Sequence, residues 1–175
     1  MNQTTRKLVF SALFLALAFV LPFLTGQIPQ IGSALLPMHL PVLLCGFVCG
    51  APWGLVVGFA APLLRSLCFG MPPFFPTAVC MAFELAAYGF LAGLFYRLFP
   101  HKKGFVYPSL LLAMLGGRLI WGLARLCCAG LDVSRFGIEA FWAGAFAAAL
   151  PGILVQILLI PPLVLLFEKF RWIER

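Results

Sequence analysis

A chain of 175 residues that is 63% hydrophobic and only 10% charged is not a water-soluble domain, which runs nearer to about 45–50% apolar and about 25% charged. With a mean hydropathy of +1.09, lipid must be the solvent for most of it, and at about 20 residues per span the length admits roughly five to seven membrane helices with no sizeable soluble domain. The net charge of +7, from 12 Lys+Arg against 5 Asp+Glu, reports topology here rather than a nucleic-acid partner, and none is expected.

There is no room for a nucleotide-binding domain. Gly116-Gly117-Arg118 comes nearest to a phosphate loop and lacks the Gly-Lys-Ser/Thr ending, so the chain is not expected to hydrolyse ATP itself.

Taken in chain order, Met1 to Lys7 is polar with two positive charges, and Leu8 to Leu24 is apolar. More spans follow and no small-residue cleavage site leads into a soluble domain, so this segment predicts a first transmembrane helix at about 6–24 rather than a signal peptide. Within it, Ala12 and Ala16 form a small-xxx-small pair beside Ser11, a spacing that lets another helix come close.

Residues 35–70 are apolar throughout but carry Pro37, Pro41 and the break Gly50-Ala51-Pro52. Parity settles how to count them. Arg6 and Lys7, and the cluster Arg97, Lys102 and Lys103, both belong in the cytoplasm, so an even number of crossings separates them. A hairpin of short helices at about 35–50 and 53–70 satisfies this; so does a re-entrant loop, but the length suits two tilted spans better. Further spans at about 77–97, 107–128 and 141–167 complete an all-α integral membrane protein. It is one six-helix membrane domain over 1–175 with both termini cytoplasmic. The outer loops are then Thr25–Ala34, Gly70–Pro76 and Ala129–Ala140, with Arg135 their one basic residue.

Cys45, Cys49, Cys68, Cys80, Cys127 and Cys128 all fall in or beside apolar runs. Cys45 and Cys49 lie at i, i+4, but no second His/Cys pair accompanies them. They read as small packing hydrophobes, and no metal or cofactor is called for.

An ionisable group at membrane depth costs about 2.5–3.5 kcal/mol on insertion scales, which singles out Arg65, Glu84, Arg118 and Arg125, with His39 as a milder fifth. The predicted topology puts all five in the outer half of the bundle. Arg118, Trp121 and Arg125 stand at i, i+3 and i+7, so they share a face. Two guanidiniums flanking an indole suit an anion with an apolar or planar body. Alternatively Arg125 and Arg65 snorkel to headgroups, Arg118 neutralises Glu84, and His39 is structural. No Ser–His pair, aspartate pair or His-Glu-x-x-His supports intramembrane catalysis, and Asp132 stands alone.

Together, the six-helix size, Ala12–Ala16, the run Leu36-Pro-Met-His-Leu-Pro-Val-Leu-Leu-Cys-Gly-Phe and the junction Gly50-Ala-Pro-Trp-Gly-Leu-Val-Val-Gly-Phe resemble the substrate-binding S components of energy-coupling factor transporters. That resemblance implies capture of a vitamin or similar small molecule at a bacterial plasma membrane. It also implies partnership with a transmembrane coupling subunit, against which Ala12 and Ala16 pack, and with a pair of ATPase subunits. The Pro-Met-His-Leu-Pro-Val run is most similar to pantothenate-type members, and the surplus of arginine favours a carboxylate over a cation such as thiamine. Substrate-binding residues are expected among Arg118, Trp121, Arg125, Glu84, Arg65 and His39. The competing classes are an autonomous anion channel or secondary carrier, and a non-transporting scaffold.

Topology is testable directly. Cysteines placed at Ser33 and Thr77 are expected to label from the outer face and one at position 101 is not; the opposite pattern contradicts the six-helix count.

Overall fold

The computed structural model describes residues 2–25, 28–100, 103–130, 137–170 and 172–173. The described residues form helices and no strand: α1 (Gln3–Val20), α2 (Pro29–Leu35), α3 (His39–Cys49), α4 (Ala51–Phe69), α5 (Val79–Leu98), α6 (Val106–Cys128), α7 (Ile138–Trp142) and α8 (Leu150–Lys169). Lys102, Asp132, Arg135, Arg171, Arg175 and position 101 lie outside the described residues, as does half of the expected outer loop 129–140.

Among the described residues, five segments are long and apolar enough to cross a membrane: Gln3–Leu24, Ala51–Phe69, Phe74–Leu98, Val106–Cys128 and Leu150–Lys169. Their outward faces carry large apolar side chains such as Leu67, Leu119 and Leu158, as contact with lipid tails requires. The hairpin differs from expectation in its first arm. Residues Pro29–Leu35, all but the last expected as loop, form α2, with Pro29 opening the helix where its missing N–H costs nothing. Pro37 then separates α2 from α3, and Leu36 takes a left-handed conformation (φ 52°) to close α2. Helix α3 therefore starts at His39 rather than 35, and its 11 residues reach only about 16 Å. The last expected helix is also divided: a π-helical turn at Ala143–Ala147 lies between α7 and α8.

Helix α5 sits at the centre, and glycines set how closely its neighbours approach. Gly46 on α3, Gly54 and Gly58 on α4, and Gly89 and Gly93 on α5 meet backbone to backbone. A Cβ on Gly54 would lie 2.4 Å from the Gly89 carbonyl oxygen, one on Gly89 2.2 Å from that of Gly54, and one on Gly58 2.2 Å from that of Leu85. In lipid, helix association depends on such close van der Waals packing because apolar burial alone gives no advantage over lipid tails. Gly50 makes the one-residue corner between α3 and α4 at φ 96°, which only glycine adopts without strain. Around this spine pack Val42, Leu43, Phe47, Leu85, Tyr88, Leu110 and Ile160, all buried. Helix α1 is the least covered of the five long segments, with 22% of its apolar window buried.

Adding one methyl group where backbones already touch forces helices apart. Gly54→Ala and Gly89→Ala are each expected to cost about 1–3 kcal/mol or more, read as a lower unfolding midpoint in one detergent. Gly104→Ala, which meets nothing within 4 Å, is the matched control and is expected to leave the midpoint unchanged.

Candidate functional site

A cavity of about 550 Å³ opens among the end of α1, α2, the start of α3, the Met71–Pro73 turn and the facing halves of α5 and α6. Its ionisable lining is His39, Arg65, Glu84 and Arg118, and Trp121 closes one side.

Each of the four ionisable side chains arrives from a different element for a local reason. His39 is the first residue of α3, held there by its N–H donating to the Leu36 carbonyl at 3.1 Å across the Pro37 break. Glu84 lies on α5 beside Leu85, whose carbonyl rests against Gly58 of α4. Arg118 follows Gly117, and that glycine lets the Tyr88 ring of α5 lie flush on α6, where a Cβ would come within 2.4 Å of it. The helices are thus close enough for Arg118 Nη1 to donate to Glu84 Oε1 at 2.8 Å.

His39 Nε2 stands 3.3 Å from the same Glu84 oxygen but out of hydrogen-bonding alignment. The His39 ring meets the Tyr88 ring edge-on at 5.1 Å. His39, Glu84 and Arg118 are all at most 4% exposed. Among the described residues, Arg118 Nε and Nη2, both His39 nitrogens and the Tyr88 hydroxyl have no hydrogen-bond partner. A buried donor left this way costs about 1–3 kcal/mol, so the site holds polar capacity that the protein itself does not use.

Arg65 reaches the cavity from α4 but has structural work as well. It is buried rather than extended to the headgroup level. Its Nη1 donates to the Phe19 carbonyl in the last turn of α1, where carbonyls lack helical partners and a cation is favoured. The guanidinium carbon lies 4.8 Å from the Phe23 ring centre and 5.2 Å from that of Phe69.

Arg118 and Trp121 both line the cavity, whereas Arg125, one turn further along α6, does not. Trp121 packs over Gly144 of the π-helical turn, where a Cβ would approach the indole to 2.6 Å. Ala12 and Ala16 are exposed on α1, while Ser11 on the opposite face is buried and 3.7 Å from Cys45 Sγ. Cys45, Cys49 and Cys80 are buried, but Cys68 and Cys127 face outward.

Sequence reasoning missed Met38, Met71, Met81 and Tyr88. Three of the five methionines line the cavity, supplying a deformable, polarizable wall. The signal was present: Met38 precedes His39, and Met81 is three residues before Glu84 on the same helical face.

Comparison with known proteins sets this architecture in a family. Residues 6–164 match the model for "ECF transporter, substrate-specific component". No curated protein and no solved structure matches the chain. The chain therefore belongs to the substrate-specific components of ECF transporters: it is a multi-pass membrane protein, not itself an enzyme, that supplies substrate specificity to uptake driven with a transmembrane coupling subunit and ATPases.

Proposed function

We propose that this S component captures a small carboxylate, pantothenate being the first candidate, in the cavity between α3, α5 and α6. Arg118 carries the proposal. It spends one nitrogen on Glu84 and keeps Nε and Nη2 buried without a protein acceptor among the described residues. Two guanidiniums share the lining with one carboxylate, so the cavity favours an anion. A carboxylate can take both remaining Arg118 donors in a forked, charge-assisted contact. Trp121 and the methionines then cover an apolar body, and His39 offers its ring nitrogens to the rest of the ligand. A volume of about 550 Å³ falls in the ordinary range for small-molecule sites, about 300–1,000 Å³.

The wider proposal is a single membrane domain over 1–175 in a bacterial plasma membrane, crossing six times with both termini cytoplasmic and the short α3 as the second crossing. Ala12 and Ala16 dock the coupling subunit, supported by their exposure on the least covered long helix.

Binding measurements on purified variants test the site. Losing a charge-assisted contact worth about 1.5–3 kcal/mol corresponds to roughly 10- to 150-fold weaker binding, the loss expected for Arg118→Ala. Arg118→Lys restores charge without the fork and is expected to recover only part of it. Trp121→Ala weakens binding through lost stacking, and Arg125→Ala, off the lining, has the smaller effect of the two arginine truncations. Glu84→Gln discriminates: anion capture survives if Glu84 only pairs Arg118, and is destroyed if Glu84 itself grips a cationic ligand. Wild-type affinity in Arg118→Ala contradicts the proposal.

Partner docking has its own test. Ala12→Leu or Ala16→Leu is expected to block assembly with the coupling subunit while leaving ligand affinity unchanged; unaffected assembly in both contradicts the assignment.

A further inference from the structure

Cys80, in the first turn of α5, and Cys128, the last residue of α6, are 48 residues apart in sequence, yet their sulfurs lie 3.5 Å apart. We propose that Cys80 and Cys128 are a reversible oxidation site whose disulfide ties α5 to α6 at the end of the bundle where the cavity lies. The site is independent of which ligand the cavity takes.

Three observations support it. An S–S bond of about 2.05 Å needs the sulfurs to close by only about 1.5 Å, within reach of side-chain rotation. The two thiols differ in access: Cys80 is fully buried, whereas Cys128 is half-exposed and open to a small oxidant. The position matters as well. Thr77, in the turn before α5, and Met81 and Glu84 on α5 bracket Cys80 and line the cavity, as do Arg118 and Trp121 on α6. A bond here fixes the spacing of the two helices that carry the Glu84–Arg118 pair.

The chemistry balances with hydrogen peroxide as oxidant. The Cys128 thiol is oxidised to the sulfenic acid, releasing one water. The Cys80 sulfur then attacks the Cys128 sulfur; the S–O bond breaks, and the departing hydroxide takes up the Cys80 proton as a second water. Thiol–disulfide exchange with a reductant reverses the bond. Cys127, adjacent in sequence but facing outward, takes no part.

The experiment treats the purified full chain with hydrogen peroxide and reads intact mass, a non-reducing peptide map and the unfolding midpoint. The expected result is a loss of about 2 Da, a crosslink joining the Cys80 and Cys128 peptides, and a midpoint raised by about 5 °C or more. A thiol reductant returns all three to their starting values. Cys127→Ser keeps the response; Cys80→Ala and Cys128→Ser abolish it, and Cys128→Ser at the half-exposed position suffices if Cys80→Ala does not fold. A crosslink from Cys127 to Cys80, a sulfinic acid on Cys128 without a crosslink, or a Cys80–Cys128 bond that leaves the midpoint unchanged overturns the proposal.

Discussion

Everything at the candidate site depends on how closely α4 and α5 lie together. Their backbones touch at Gly54, Gly58, Leu85 and Gly89 with no side chain between them. This contact supplies packing in a solvent where apolar burial gives little advantage. It also fixes the turn of α5 that carries Glu84, because Leu85 next to it is the residue whose carbonyl rests on Gly58. Gly117 repeats the device on the other side of α5, seating the Tyr88 ring and bringing Arg118 within reach of the carboxylate. The glycines thus do two jobs, holding the bundle and setting the distance across which its buried charges meet.

Those charges would be a liability without purpose. Removing ions from water costs several kcal/mol each even after relaxation, and a buried pair recovers that only with good geometry and its remaining hydrogen bonds satisfied. Arg118 and Glu84 have the geometry but not the full set of bonds. The unmet capacity sits on the cationic partner and lines a cavity, where a low dielectric strengthens attraction for an anion. Arg65 adds a second positive charge, but its Nη1 bond to the end of α1 and its two flanking phenyl rings make it a support for the wall.

Much of this was legible in the sequence because lipid is an unforgiving solvent. Long apolar runs identified α1, α4, α5 and α6 to within a few residues, whereas α8 begins at Leu150 rather than 141, and the cost of membrane-buried charge picked out His39, Arg65, Glu84 and Arg118, all of which line the cavity. Helical periodicity alone put Arg125 on the face of Arg118 and Trp121, but seven residues along a real helix is enough to leave the lining. Residues 25–34 were read as an outer loop from the crossing count, although Pro29 can open a helix readily and does so at α2. Gly46, Gly50, Gly54 and Gly58 recur every four residues, a small-residue stripe plainly visible in the chain. Read only as punctuation at Gly50, it hid the contact surface that organises α3, α4 and α5. The methionine wall was harder to see, since Met71 reaches it from a turn that no helical period describes.

The proposed site is a net-positive, partly apolar cavity that selects a small carboxylate through the two unshared donors of Arg118. The most direct test is to identify by native mass spectrometry the small molecule retained by the protein purified from its own membrane. A bound monoanionic carboxylate, lost on mild acidification that protonates it, is the outcome expected. A bound cation or amine retained by the wild-type protein would contradict the claim and transfer the ligand contact from Arg118 to Glu84.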